Sequence, residues 1–149
     1  MEILLVEDSL AIIKGLEYSF KQENYNLSIA TNLKQASKII EDKKIDLIIL
    51  DIGLPDGNGL DFYEDTIKIL NISTIFLTAQ DDEETVVKGL NLGADDYITK
   101  PFSTKELFAR INKIVLRNKK NTIIKIGNIK FDQWLLKIFR VRPATAASS

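Results

Sequence analysis

Two acids, Glu7 and Asp8, follow an apolar run of strand length, Met1–Val6. A third acid, Asp51, ends another such run inside IDLIILDIGLPDGNG, residues 45–59. Thr78 ends a run with TIFL in its core, Ser73–Leu77, and Lys100, followed by Pro101, ends a short one at Tyr97–Thr99. A carboxylate acceptor, further carboxylates, a hydroxyl and an ammonium are the parts needed for phosphoryl transfer to an aspartate. Three carboxylates in one crevice repel each other and need a cation to remain ionised together. With only oxygen ligands on offer, Mg²⁺ suits the set, held by carboxylates, a loop carbonyl and water, with Mn²⁺ as a substitute. Singly, each residue has a plainer use: Asp51 as a loop cap, Glu7 and Asp8 as acids before a helix, Thr78 in a turn, Lys100 in solvent. Their joint occurrence at four strand ends is what favours chemistry.

The elements that must position them can be read in order. Ser9 is a plausible N-cap for a helix with Leu10, Ile13, Leu16 and Phe20 at helical spacing, closed by Asn24. Tyr25–Ala30 alternates as a second strand, and Thr31 or Asn32 caps a helix through Glu41 with Ala36, Ile39 and Ile40 inward. The central strand is Asp46–Leu50, with Asp51 at its tip, and Gly53, Pro55, Gly57 and Gly59 follow within seven residues. Leu60–Leu70 reads as a helix with Leu60, Tyr63, Ile67 and Leu70 (or Phe62) inward. Asp82–Leu92 is a fourth helix stopped at Gly93, and Ser103 or Thr104 caps a fifth with Leu107, Phe108, Ile111 and Ile114 on its apolar side. Strands alternating with helices in this way predict an α/β fold, a doubly wound five-stranded parallel sheet with helices on both faces. Its carboxyl edge is where ligands bind, and the four strand ends converge there.

Composition narrows the chemistry. The 149 residues contain no Cys and no His, which excludes disulfides, thiolate metal sites, an imidazole base and a phosphohistidine on this chain. No apolar stretch reaches the length of a membrane span and no signal-peptide pattern opens the chain, so a cytoplasmic protein with no membrane contact is expected. Residues 1–118 carry 13 Lys and Arg against 20 Asp and Glu, whereas residues 119–149 carry 7 against 1. That change of sign predicts a boundary near Asn118–Asn121. Beyond it Thr122–Ile126, Ile129–Asp132 and Leu135–Phe139 alternate as short antiparallel strands, and residues 140–149, ending PATAASS, read as a disordered tail.

LLVEDS at Leu4–Ser9, LDIGLPDGNG at Leu50–Gly59, FLTA at Phe76–Ala79 and GADDYITKPF at Gly93–Phe102 together resemble the CheY-like receiver domain of two-component response regulators. The resemblance covers Met1 to about Asn118. It implies that Asp51 accepts a phosphoryl group from a sensor histidine kinase, and that Glu7, Asp8, Asp51 and the backbone carbonyl of Gly53 hold Mg²⁺. Thr78 and Lys100 would contact the phosphoryl oxygens, Tyr97 would rotate as Thr78 moves, and the Lys100–Pro101 peptide would be cis. Such a domain is a signalling switch that catalyses only its own phosphoryl transfer and slow autodephosphorylation. Two other readings rank below it. One is a phosphorylation-independent interaction module. The other is a small-substrate aspartyl phosphatase, which needs a second acid where Gly53 stands.

GADDYITKPFSTKEL is further similar to the OmpR/PhoB branch, and IIKIGNIKFDQWLLKIFR to the N-terminal β-sheet of its winged-helix output domain. This implies residues 1–118 as receiver, 119–121 as linker and 122–139 as the start of a DNA-binding domain of a transcriptional regulator. The recognition helix is not in the sequence, so specific DNA binding is not expected of this chain. The branch implies a homodimer on phosphorylation through the fourth helix, fifth strand and fifth helix. Asp96 and Arg110 would supply an intermolecular ion pair, Glu106 another charge, and Leu90 and Phe108 an apolar patch. Val86 and Asn112 stand where basic residues are usual, so fewer ion pairs are expected.

Overall fold

The computed structural model describes residues 1–79 and 82–127, with side chains through residue 118. Five parallel strands form the sheet: β1 (Glu2–Val6), β2 (Asn26–Ala30), β3 (Leu47–Asp51), β4 (Ser73–Thr78) and β5 (Asp96–Thr99), in the order β2-β1-β3-β4-β5. β1 and β3 are near-continuous runs of Leu, Ile and Val because both faces of a parallel sheet are covered, and Ile3–Val6 and Leu47–Leu50 are fully buried. The chain steps one way from β1 to β2 and the other way from β3 to β5, which leaves a crevice at the carboxyl ends of β1 and β3.

The helices start where side chains can take up their free N–H groups. Ser9 caps α1 (Leu10–Gln22), which buries Ile13, Leu16 and Phe20. Of the two candidates before α2 (Leu33–Asp42), Asn32 is the cap, its Oδ1 accepting from Gln35 N at 2.8 Å. α3 runs from Gly59 to Leu70 and is interrupted by a π-helical stretch, Tyr63–Ile67. That wider turn shifts the helical phase. Leu60, Tyr63 and Ile67 are buried, and of the two alternatives for the remaining inward position Phe62 is buried whereas Leu70 is 52% exposed. α4 (Glu83–Asn91) is followed by Gly93 at φ 111°, a left-handed stop that glycine adopts readily.

α5 extends from Thr104 to Gly127, with Ser103 Oγ accepting from Glu106 N at 3.0 Å, so Ser103 is the cap. Leu107, Ile111 and Ile114 are buried, as their spacing predicts. The strand expected at Thr122–Ile126 and the linker at 119–121 are instead helical. Adding residues to an existing helix is far less costly than nucleating a new element, so an alternating apolar run does not by itself end one. The expected strands at Ile129–Asp132 and Leu135–Phe139, and the tail from Arg140, lie outside the described residues. Contacts divide the chain into two units, Met1–Arg110 and Ile111–Ser149. Among the described residues the antiparallel pairing is a two-residue hairpin in the loop after β3, Gly53–Leu54 with Gly57–Asn58.

Candidate phosphoryl-acceptor site

Sheet register brings the expected residues to one edge. Val6 pairs with Leu50, so Glu7 follows β1 at the level where Asp51 ends β3. Thr78 pairs with Thr99 at the next step, and Lys100 follows directly. Glu7 is wholly buried, Asp51 and Thr78 are almost so, and Asp8 is exposed. One carboxylate oxygen from each of Glu7, Asp8 and Asp51 lies within 4.8 Å of the others.

Lys100 reaches across the edge. Its ammonium donates to Asp51 Oδ2 at 3.0 Å and lies 2.6 Å from Glu7 Oε1. The second contact is an ion pair with a wholly buried carboxylate, so one ammonium bridges Glu7 and Asp51. Glu7 Oε2 accepts from Asp8 N at 2.9 Å, and Asp51 Oδ1 from Gly53 N at 3.2 Å. Burial pushes the Glu7 carboxyl up to about 7, and a hydrogen bond shared with Asp51 adds to the rise against the pull of Lys100. For Lys100, burial works toward a lower value, but hydrogen bonds and charges from Glu7 and Asp51 outweigh it and leave the ammonium above its ordinary range. Thr78 Oγ1 is buried and has no hydrogen-bond partner among the described residues, so its hydroxyl is a free donor at the same rim. The Lys100–Pro101 peptide is cis, as expected.

This donor set fits Mg²⁺. Octahedral Mg–O distances of about 2.0–2.1 Å separate opposite ligands by roughly 4.2 Å, so carboxylates already within 4.8 Å need little movement to close on the ion. Glu7 Oε1, buried and held by the Lys100 ammonium alone among the hydrogen bonds and ion pairs of the described residues, has lone-pair capacity left for a metal ion.

Other expected residues are placed differently from one another. Leu90 is 40% exposed on α4, beside Val87 at 51%. Asp96 and Arg110 are already paired within one chain, Arg110 Nη1 donating to Oδ1 at 2.9 Å and to Oδ2 at 3.0 Å. Arg110 also donates to Glu106 at 3.3 Å, and its guanidinium carbon sits 6.0 Å from the centre of the Tyr97 ring. Phe108, expected on an apolar surface patch, packs instead with Phe20 and Tyr25, at ring-centre distances of 5.0 and 6.1 Å. Helical spacing turns it away from Glu106 and Arg110 and toward Phe20 of α1 and Tyr25, which precedes β2. Val86 is buried, so it does not stand on the surface opposite Glu106.

Two features of the site were not anticipated. Gly59 admits no side chain, because a Cβ there would lie 2.6 Å from Asp51 O and 2.9 Å from Ile52 Cα. Asp56, at the turn of the hairpin, accepts from Leu33 N at 2.9 Å and Lys34 N at 3.1 Å, across to the start of α2. The cluster of glycines hinted at the first, and no local pattern signals the second.

Residues 3–112 match the family described as response regulator receiver domain. Among solved structures, the chain is similar to the receiver domain of TorR, the response regulator of the TMAO respiratory system. The identity is 34%, covering 78% of this chain and 97% of that one, with a TM-score of 0.74. The non-phosphorylated HemR receiver domain from Leptospira biflexa is 35% identical over 76% of this chain and 93% of that one, with a TM-score of 0.71. The BeF3-activated DrrB receiver domain is 28% identical over 76% and 96% of the two chains, with a TM-score of 0.68.

Proposed function

Because the chain belongs to the response regulator receiver family, we propose that Asp51 is its phosphoryl acceptor and a sensor histidine kinase the donor. Phosphorylation-dependent switching is general to this family of two-component signalling domains, which are not enzymes in the ordinary sense. The observation that carries the assignment is the convergence of Glu7, Asp8 and Asp51 within 4.8 Å beneath an ammonium 3.0 Å from Asp51.

In the reaction, a carboxylate oxygen of Asp51 attacks the phosphorus of the kinase phosphohistidine. An O–P bond forms, the P–N bond breaks, and the imidazole keeps the electron pair and takes up a proton. Glu7, Asp8, Asp51 and the Gly53 carbonyl would hold Mg²⁺, whose charge offsets the repulsion between acceptor and incoming phosphoryl oxygens. Lys100, already on Asp51 Oδ2, supplies a fixed positive charge to the phosphoryl group. The free Thr78 hydroxyl supplies a hydrogen bond, and its movement toward the phosphoryl group leaves room for Tyr97 to rotate inward. The switched face is α4-β5-α5, through which the domain dimerises. That the similar DrrB receiver is activated by BeF3 supports using beryllofluoride to activate this chain. The wording of residues 93–107 and 123–140 supports an OmpR/PhoB-type transcriptional regulator as the parent protein, reading DNA through its output domain.

Incubation with acetyl phosphate and Mg²⁺ should add the mass of one phosphoryl group, stable in acid and released by hydroxylamine. The gain should vanish in Asp51→Ala and in excess chelator. No gain on the intact protein would overturn the assignment in favour of a phosphorylation-independent interaction module.

A further inference from the structure

Asp56 lies in none of the strands or helices that deliver the site, and its side chain bonds to another element. Both of its carboxylate oxygens are used, Oδ1 on Leu33 N and Oδ2 on Lys34 N, the first two amides of α2. Those bonds hold its carboxyl below the ordinary aspartate range, the Leu33 amide contributing most. They also complete the capping of α2, since Asn32 takes the third amide, Gln35 N. The helix therefore has two independent caps, one local and one brought in from the loop after β3.

That loop is the hairpin in which Gly53 pairs with Asn58 and Leu54 with Gly57. Its far end is fastened by Asn58, whose Oδ1 accepts from Leu60 N at 2.7 Å, and by Gly59 N donating to Ile52 O at 2.8 Å. Its tip is fastened by Asp56, and a Cβ on the adjacent Gly57 would lie 2.8 Å from Leu33 Cδ1, so the tip rests on α2. Its near end is Gly53, whose amide donates to Asp51 Oδ1. A short hairpin pinned at its tip cannot tilt without moving Gly53.

We propose that Asp56 is a positioning residue for phosphorylation: by pinning the hairpin to the start of α2, it holds Gly53 against the Asp51 carboxylate. It touches neither the acceptor nor the incoming group, and it acts through Gly53. The inference rests on the reading of Asp51 as acceptor and Gly53 as part of the Mg²⁺ site. Partners that orient a metal ligand from behind generally affect affinity by about 10–100-fold.

Asn32→Ala is the control, because it weakens the same helix start without touching the hairpin. Asp56→Ala should weaken Mg²⁺ binding about tenfold by calorimetry on the unphosphorylated protein. It should raise the Mg²⁺ concentration needed for half-maximal labelling by acetyl phosphate, with the rate at saturating Mg²⁺ less affected. Asp56→Asn, which keeps one acceptor oxygen, should recover part of the affinity. Asn32→Ala should lower the melting temperature and leave Mg²⁺ affinity as in the wild type. Wild-type Mg²⁺ affinity in both Asp56 variants, or an equal loss in Asn32→Ala, would overturn the positioning role alone. A wild-type protein that neither binds Mg²⁺ nor becomes labelled would overturn the reading of the site, and this inference with it.

Discussion

Glu7 has no contact with solvent and lies 2.6 Å from the Lys100 ammonium, yet burial and Asp51 raise its carboxyl to about 7 from an ordinary value of 4.5. The folded metal-free protein thus holds this proton more firmly than the unfolded chain. The resulting stability is fully present below pH 4.5 and is lost as pH rises through about 7. A cation in the site must displace the same proton. Mg²⁺ affinity should therefore rise with pH and level off above about 7, with proton release on binding at about pH 6 and none at about pH 8. Calorimetry in buffers of different ionisation enthalpy measures both. Glu7→Gln replaces a buried ionisable group by a neutral one of the same shape. At about pH 8 it should stabilise the metal-free protein by roughly 1–3 kcal/mol while removing the rise in melting temperature that Mg²⁺ produces in the wild type. A variant that still gains stability from Mg²⁺ would remove Glu7 from the site.

Elements meet at glycines here, and the space around each glycine decides what an added methyl does. At Gly59 the new Cβ would strike the backbone of Asp51 and Ile52, neither of which can rotate aside. Gly59→Ala should cost about 1–3 kcal/mol in urea unfolding and slow labelling of Asp51, whose backbone must shift. Gly15 lies within α1 with nothing within 4 Å of a new Cβ. Gly15→Ala should stabilise the protein by about 0.5–1 kcal/mol, through the lower entropy of the unfolded chain, with unchanged labelling. The sequence places Gly59 in a glycine-rich turn and Gly15 within a helix, and the packing shows what each would meet. α3 illustrates a limit of the sequence. Its apolar periodicity was legible, with Leu70 or Phe62 left as alternatives, but the π-helical stretch after which Leu70 is exposed was not.

For the molecule as a whole, the proposed dimer rests less on ion pairs than the family pattern implies. Arg110 already holds Asp96 and Glu106 within its own chain. Exchanging an intrachain pair for an intermolecular one gains little, since exposed pairs are each worth about 0–1 kcal/mol. The apolar pair Val87 and Leu90 on α4 is the better source of association energy. Sedimentation of the beryllofluoride adduct should show a dimer that Val87→Asp abolishes. Phe108→Leu should leave the dimer intact and reduce stability by about 1 kcal/mol, because Phe108 packs against Phe20 and Tyr25. A strictly monomeric adduct at high concentration would remove dimerisation from the proposed function. Among the described residues no helix is long and apolar enough to cross a membrane.

The sequence by itself determined the alternation of strands and helices, the cap at Ser9, the choice of Thr31 or Asn32 before α2, the stop at Gly93 and the placing of Glu7, Asp8, Asp51, Thr78 and Lys100 at four strand ends. These depend on periodicity and on short-range bonds between near neighbours, which leave a local signature. Tertiary structure alone decided that Glu7 is buried against Lys100, that Phe108 faces α1 and that Asp56 caps α2. Each of these is a contact between residues far apart in the chain, set by how the elements pack and by the sheet register. The helix through residues 122–126 is a separate case, settled by its neighbours in the chain. An alternating apolar run there is compatible with either state, and continuation of an existing helix settled which one forms.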